Sequence, residues 1–482
     1  MYKYFLFLLQ LIVFSHCGKQ SNQSENKDNS NAKRYDMSLS KGEVLGSVRC
    51  QNDSTLSFAL YLPENYDYKS VLPAIVIFDS HGNGKLPVKR YKDLAKKFNY
   101  ILIGSNNSKN GIPIEKSREI ARLLLEDVKA RIAIQSNRIY TMGFSGGSRV
   151  ASAVAIFEGG IRGVIGCSAG FPRIDQAIQN KFWYFGIVGD EDFNYLEMKN
   201  LKKVLKESGI QSFLQVLNGK HEWPSAENMR EAFEWSEFQA MKAQTIPLND
   251  TITKVFSRRY KKKFETYTNQ GDMVNLHQTC RTIISFFNGL YDVQIYADKK
   301  IELENSSEFQ KYMQFVEDLE KKEVIAQQQY LEALISKNLS WWEDEIGKLN
   351  ALSKTNRIDE AKMYKRLLNY LSLASFMNIN SALKENRLDQ AAFLLEIYQL
   401  VDPENPDVYF FTAIYWALKD EKKKSMNNLE KAARLGLDDI SRIQNESKLE
   451  NVRNLKRYEE LIENIKSGAI KENKEEKKEK KK

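Results

Sequence analysis

Short apolar runs alternate with amphipathic segments over residues 44–245, and this alternation restricts the fold more than any other feature of the chain. The runs "LPAIVIFD", "YILIGS", "RIYTMG", "IRGVIGC", "FWYFGIVGD" and "QSFLQVL" are typical of buried strands. Helical patterns such as "EKSREIARLLLEDVKARI" lie between them. The alternation predicts an α/β domain with a mostly parallel sheet covered on both faces. Two earlier runs, "SVRCQ" and "TLSFALYLP", flank Asn52-Asp53-Ser54 and predict a hairpin.

Strand signals fade after Trp235, and the rest of the chain has helical patterns. Residues 255–350 are charged and predict a helical linker region. Within residues 351–468, small and large residues recur every 34 positions, as Ala391 and Ser425 do. The segments "ALKENRLDQAAFLLEIYQLVDPENP" and "AIYWALKDEKKKSMNNLEKAARLGLDD" resemble tetratricopeptide repeats. We predict an all-α, TPR-like domain that either binds a protein partner or only supports the first domain.

The first 17 residues resemble a bacterial lipoprotein signal peptide. The apolar stretch Phe5–Phe14 is too short to span a bilayer, which takes about 20 residues. We expect Cys17 to carry a lipid and the polar residues 18–43 to tether the protein to a membrane of the cell envelope. The alternative is an ordinary secretory signal and a secreted or periplasmic protein. The Lys- and Glu-rich residues 469–482 predict a disordered tail.

Composition gives little support to a nucleic-acid partner or a metal centre. The formal charge is +9, but the last twelve residues alone contribute +3, and no RNA- or DNA-binding motif accompanies them. The four Cys are widely spaced and form no C-x-x-C pair, so a structural zinc site is not expected. No pattern in the chain implies a cofactor.

The segment Gly143-Phe144-Ser145-Gly146-Gly147 lies between a predicted strand and a predicted helix. In a nucleophile elbow a Ser occupies such a turn, and the glycines beside it allow the chain to turn tightly. A Ser hydroxyl is a poor nucleophile at neutral pH and needs an adjacent base, usually a His held by a carboxylate. Ser145 is therefore the candidate nucleophile.

The candidate base is His221, because it follows Ser145 and lies directly after the predicted strand "QSFLQVL". The other three His lie in the signal peptide, ahead of Ser145 or in the later helical region: His16, His81 and His277. The strand "FWYFGIVG" leads into three acidic residues, of which Asp192 has the spacing from Gly189 expected of the orienting carboxylate. Asp190 is then expected to be a turn residue.

Ester hydrolysis also needs backbone N–H groups that hold the oxyanion. One is expected from Gly146, directly after the nucleophile, and the second from Gly82 or Asn83 in the loop after the third strand. Asn106 and Asn107 follow the fourth strand, so they are either substrate-binding residues or part of a polar turn.

Trp223, close to His221, is expected to be either a wall of the substrate pocket or part of the core.

Residues 44–245 resemble an α/β-hydrolase of the esterase branch that includes polyhydroxybutyrate depolymerases, feruloyl esterases and dienelactone hydrolases. The segments "SHGNG", "YTMGFSGGSRVA", "VGDED" and "KHEWP" carry the resemblance and occur in the family's order. The two residues before His81 depart from the depolymerase-like group. The resemblance implies cleavage of a carboxylic ester by Ser145, His221 and Asp192, with no metal or cofactor.

The sequence thus predicts an envelope-anchored serine esterase that acts on a small-molecule or polymer-derived ester and carries a helical-repeat domain. Because residues 44–245 contain every motif of the site, hydrolysis of a small ester is expected to need only this domain. One alternative is a catalytically inactive, hydrolase-like scaffold that binds a ligand or a protein. A peptidase on the same fold is less favoured, since no lid or propeller segment is present.

Overall fold

The computed structural model describes residues 35–174 and 177–469. The predicted signal peptide, Cys17, most of the tether and residues 470–482 of the tail lie outside the described residues. The strands are β1 (Val44–Arg49), β2 (Ser57–Tyr61), β3 (Leu72–Phe78), β4 (Ile101–Ser105), β5 (Ile134–Phe144), β6 (Gly163–Cys167), β7 (Trp183–Gly189) and β8 (Ser212–Leu217). The helices among and directly after them are α1 (Lys85–Phe98), α2 (Ile114–Arg131), α3 (Gly146–Phe157), α4 (Tyr195–Glu207), α5 (Ala226–Lys242), α6 (Asp250–Gln270) and α7 (Met273–Phe287).

The remaining helices of the described residues form the second half of the molecule. They are α8 (Gln294–Asn305), α9 (Ser307–Ser336), α10 (Leu339–Leu352), α11 (Ile358–Lys384), α12 (Leu388–Val401), α13 (Pro406–Leu418), α14 (Lys422–Leu435), α15 (Ile440–Asn445), α16 (Glu450–Arg453) and α17 (Lys456–Ser467). No helix in the described part of the chain is long and apolar enough to cross a membrane.

The eight strands form one sheet in the order β1-β2-β4-β3-β5-β6-β7-β8. The β1–β2 hairpin is antiparallel, β2 pairs antiparallel with β4, and every other pair is parallel. This is the strand order of an α/β-hydrolase, so the fold class expected from the sequence is confirmed. Because the strands from β3 to β8 are parallel, the loops after them meet at one carboxyl edge of the sheet.

The apolar runs are continuous because most of these strands are covered on both faces. Every residue of β4, β6 and β7 is buried. Helices α2, α3 and α4 contribute to the apolar layer on one face, whereas α1 and α5 contribute to the other. The rigid, two-sided core fixes the positions of the loops at the carboxyl edge.

The second apolar layer continues past residue 245 into α6 and α7. Phe238 of α5 packs against Phe256 of α6 with 5.1 Å between ring centroids, and Trp235 packs against Phe286 of α7 at 5.0 Å. All four rings are buried. The core under the sheet therefore draws on residues that the sequence had placed in a separate linker region.

A 34-residue spacing is visible in the helices. Helices α12 and α14 begin 34 residues apart, and α11 and α13 end 34 residues apart. Ala391 and Ser425, which share this spacing, are both fully buried. However, α11 begins at Ile358, and its residues 358–371 have no counterpart in α13, which begins at Pro406. The assignment to tetratricopeptide repeats stays a prediction.

Candidate active site

Ser145 lies between β5 and α3, at the carboxyl edge of the sheet, with φ 53° and ψ −122°. A positive φ is strained for a residue with a Cβ. A Cβ at Gly143 would overlap the carbonyl group of Gly147, and one at Gly147 would overlap the carbonyl group of Phe78 in β3. Glycine is therefore required at both positions, because the turn is tight and α3 starts against the sheet. The backbone has the geometry of a nucleophile elbow.

Asp192 and His221 follow β7 and β8, so the topology brings them to the same edge. The Nδ1 atom of His221 lies 2.9 Å and 3.0 Å from the two carboxylate oxygens of Asp192. The carboxylate is fully buried, and the imidazole is 19% exposed. An imidazole that donates its Nδ1–H to a carboxylate presents Nε2 as a hydrogen-bond acceptor and base.

Aromatic rings hold the His221 imidazole next to the elbow. Phe193 stacks on it with 4.1 Å between centroids, and Phe144 contacts it at 4.8 Å. Phe144 directly precedes Ser145, so one of the rings that contact His221 belongs to the residue next to the candidate nucleophile. Within the described part of the chain, the Ser145 hydroxyl makes no hydrogen bond to His221; such bonds often form only when substrate is bound.

Gly146 is the first residue of α3, so its N–H has no acceptor within the helix and can bind an oxyanion. The second donor, expected at Gly82 or Asn83, stays a prediction, and both N–H groups are engaged within their own loop. The N–H of Asn83 already donates to Oδ1 of Asp79 at 3.2 Å, and the N–H of Gly82 donates to the Asp79 carbonyl oxygen at 3.1 Å. The buried Asp79 carboxylate accepts the Asn83 N–H because a buried charge requires hydrogen-bond donors, whereas the Gly82 N–H closes a turn onto the Asp79 backbone carbonyl oxygen.

Asn106 and Asn107 fix a loop to the β1–β2 hairpin. The Asn106 side chain donates to the Gly46 carbonyl oxygen at 3.2 Å. The Asn107 side chain accepts from the N–H of Ser57 at 2.8 Å and donates to the Thr55 carbonyl oxygen at 3.2 Å. Of the two roles weighed from the sequence, these contacts are those of a polar turn, because the Nδ2 group of Asn106 and both polar atoms of the Asn107 side chain bond to the hairpin.

Asn110 lies in the same loop and was not predicted from the sequence as a residue of the site. Its side chain lies so close to Gly146 that a Cβ at Gly146 would overlap Oδ1 of Asn110. The N–H of Asn110 donates to the Ser80 carbonyl oxygen at 2.8 Å, which holds this loop against the loop after β3. Sequence offered only a polar run, "SNNSKNG", and no signal showed which Asn approaches the elbow.

Trp223 belongs to the core beneath the site. It is 6% exposed, its Nε1 donates to Oδ2 of Asp79 at 2.8 Å, and its ring stacks on Phe144 at 5.4 Å between centroids. Of the two roles expected for Trp223, these contacts are those of a core residue. Trp223 links the loop after β3 to the Phe144 ring that supports His221.

Two further His lie outside this arrangement. The His81 side chain is 74% exposed, and His277 pairs with Glu304 between α7 and α8 at 2.9 Å. Burial lowers the pKa of His277. Among residues 35–174 and 177–469, no group of three or more His, Cys, Asp or Glu could hold a metal ion.

Comparison with solved structures found esterases and other serine hydrolases, which match the N-terminal two fifths of this chain. An S-formylglutathione hydrolase from Staphylococcus aureus is 12% identical, with a TM-score of 0.34, and the match covers 41% of this chain and 98% of that one. A hyperthermophilic esterase from the archaeon Pyrobaculum calidifontis is 13% identical, with a TM-score of 0.33 and coverages of 42% and 85%.

The feruloyl esterase module from Clostridium thermocellum, in complex with sinapinate, is 14% identical, with a TM-score of 0.34 and coverages of 40% and 87%. No family model and no curated protein matches this chain. Identities this low assign no activity or substrate to this protein.

Proposed function

We propose that this protein is a serine hydrolase that cleaves a carboxylic ester with Ser145, His221 and Asp192. The observation that carries the proposal is the contact of 2.9 Å between His221 Nδ1 and the buried Asp192 carboxylate, at the same sheet edge as a Ser in a strained elbow. A Ser, a His and an Asp with these environments can generate a nucleophile at neutral pH.

The reaction proceeds in two steps. Nε2 of His221 takes the proton of the Ser145 hydroxyl as Oγ attacks the ester carbonyl carbon. The Gly146 N–H stabilises the resulting oxyanion. His221 then gives the proton to the leaving alcohol, and the acyl group stays on Ser145. Water, activated by His221, releases the acid and restores the hydroxyl. Asp192 orients His221 and stabilises the imidazolium in both steps.

Location and partners are part of the same proposal. Lipid on Cys17 would attach the protein to a membrane of the cell envelope, and the helices after α7 would offer a surface for a protein partner. Labelled palmitate should enter the wild-type protein and should not enter the Cys17→Ser variant. Equal membrane partition of the two proteins without any label would instead favour a secretory signal.

The decisive experiment uses Ser145→Ala. This substitution should abolish labelling by a fluorophosphonate probe and lower the turnover of a short p-nitrophenyl ester by about 10³-fold or more. Ser148→Ala is the matched control, because Ser148 lies one turn further along α3 and its buried hydroxyl donates to the Ala169 carbonyl oxygen. Labelling should persist in that variant.

Two results would contradict the proposal. One is undiminished turnover by purified Ser145→Ala. The other is a folded wild-type protein that neither reacts with the probe nor hydrolyses short esters, which is the result expected of the catalytically inactive scaffold.

A further inference from the structure

The turn that presents Asp192 to His221 is held from two sides. On one side, the N–H of Asp190 donates to the Leu217 carbonyl oxygen at 2.7 Å, and the N–H of Glu191 donates to the Gly219 carbonyl oxygen at 2.9 Å. Both acceptors belong to the end of β8 and the loop that leads to His221. These two bonds hold the turn against the loop that leads to His221, and in both of them the turn supplies the N–H group.

The carbonyl groups of the same two residues are held by α11. Arg366 donates from Nη1 to the Asp190 carbonyl oxygen at 2.7 Å, and Asn369 donates from Nδ2 to the Glu191 carbonyl oxygen at 2.7 Å. Thus the four backbone polar groups directly before Asp192 are all paired, half of them by a helix more than 170 residues away in sequence.

The side chains of the turn are paired with α11 as well. Lys362 lies 2.8 Å from Oδ2 of Asp190, and Lys365 lies 2.6 Å from Oε1 of Glu191. Oδ1 of Asp190 accepts the N–H of Gly219 at 3.1 Å. The four polar residues of α11 that reach the turn follow the spacing of one helix face: Lys362, Lys365, Arg366 and Asn369.

Helix α9 supports this face of α11. The guanidinium of Arg366 forms hydrogen bonds of 2.6–3.0 Å with the fully buried carboxylate of Glu323, and it lies 4.3 Å from the ring centroid of Tyr195 at the start of α4. Glu320 of α9 also pairs with Lys199 of α4. Glu323 and Tyr195 therefore hold the Arg366 side chain in one orientation. A side chain held in this way can position the turn that it contacts.

The contacts come from the part of α11 that lies outside the 34-residue spacing. Residues 358–371 precede the segment that corresponds to α13, and all four polar contacts to the turn fall within this extension. A helix that only completed a repeat would not need the extension. We propose that Lys362, Lys365, Arg366 and Asn369 are positioning residues for hydrolysis: they hold the Asp190–Glu191 turn and thereby the Asp192 carboxylate against His221.

This inference rests on the proposed function, so its test includes a readout that does not need turnover. The test uses the full chain with the double substitution Lys365→Met and Asn369→Ala. Both side chains are partly exposed, and neither belongs to the buried pair of Arg366 and Glu323. The matched control is Asn378→Ala with Lys384→Met, because among residues 35–174 and 177–469 the Asn378 side chain donates only to the Ala374 carbonyl oxygen, within α11 itself.

For the double variant at the turn, kcat on a short ester should fall by between about tenfold and about 10²-fold, because the Asp192 carboxylate is misplaced. KM should be nearly unchanged, because the substituted residues do not contact the substrate. The hydrogen-bonded Nδ1 proton of His221, observed by NMR with labelled His, should broaden or disappear. The control should resemble the wild type in both respects. If the turn variant melts well below the control, Lys365→Met alone repeats the comparison.

The two proposals fail in different ways. If the wild type hydrolyses esters and the turn variant matches the control in kcat and in the Nδ1 signal, α11 does not position Asp192. If the wild type reacts with no probe or ester, but the turn variant loses the Nδ1 signal, the positioning inference stands and the proposed hydrolysis fails.

Discussion

At the scale of single residues, three adjacent acids have different contacts because the backbone turns between them. Asp190 bonds to the Gly219 N–H and Lys362, Glu191 pairs with Lys365, and Asp192 alone contacts His221. Burial separates them too, since the Asp192 side chain has no exposed surface. The chemistry of a carboxylate here is decided by its position in the turn.

Asp192→Asn should lower kcat by about 10³-fold or more, because an amide can donate to Nδ1 and favour the wrong tautomer of His221. Asp190→Asn should lower kcat much less, since the Asp190 side chain contacts Gly219 and Lys362 and affects His221 indirectly, through the conformation of the turn. Steady-state kinetics on a p-nitrophenyl ester with both variants measures the difference. A larger loss in Asp190→Asn would mean that the roles of the two residues are reversed.

Gly146→Ala tests the contact with Asn110. The added Cβ would overlap Oδ1 of Asn110, the end of an exposed side chain that can rotate away, so the melting temperature should change little. Turnover should fall at least about tenfold, because the proposed oxyanion site beside the Gly146 N–H is disturbed. Adding Asn110→Ala to this variant should remove the overlap and restore part of the turnover. If the double variant is no more active than Gly146→Ala alone, the overlap with Asn110 is not the cause of the loss.

At the scale of elements, helices α5 and α7 are joined by a cation. Lys242, the last residue of α5, donates to the Ser285 carbonyl oxygen of α7 at 2.7 Å and lies 5.8 Å from the Trp235 ring centroid. Burial lowers the pKa of Lys242 from 10.5 to about 8. The contribution of Lys242 to the free energy of unfolding therefore changes with pH in the alkaline range.

The sign of this effect follows from proton binding. Between about pH 8 and pH 10 the unfolded chain binds more protons at Lys242 than the folded chain, so raising the pH stabilises the folded protein. Relative to Lys242→Met, the free energy of unfolding of the wild type should rise by about 1–2 kcal/mol over this range, after allowance for solvent screening. Urea unfolding of both proteins at several pH values measures it, and a constant difference would contradict the assignment.

At the scale of the whole molecule, the two halves share a core and both contact the acidic turn Asp190–Asp192. Phe256 and Phe286 cover Trp235 and Phe238, although the sequence motifs of the site end earlier in the chain. The acidic turn is likewise completed by α11. The helices after residue 245 are thus joined to the sheet by both apolar and polar contacts.

A chain cut after Leu248 should therefore aggregate, because the apolar faces of Trp235 and Phe238 would be exposed to water. A chain cut after Val293 keeps α6 and α7 and should be monodisperse, with kcat below that of the full chain because α11 is missing. Size-exclusion chromatography and esterase assays per soluble molecule compare the two. A monodisperse, fully active chain ending at Leu248 would restore the simpler expectation of a self-sufficient first domain.

The sequence by itself determined the strands, their alternation with helices and the order of the site motifs, because these depend on local periodicity and on turn chemistry. It also singled out Ser145, Asp192 and His221, since Ser145 lies in a Gly-flanked turn, His221 alone of the four His follows both Ser145 and a predicted strand, and Asp192 has the expected spacing from Gly189. The tertiary structure decided what the loops do. Which Asn reaches Gly146, which amides Asp79 engages and which helix holds the acidic turn depend on contacts between segments far apart in the chain, and no local pattern encodes those distances.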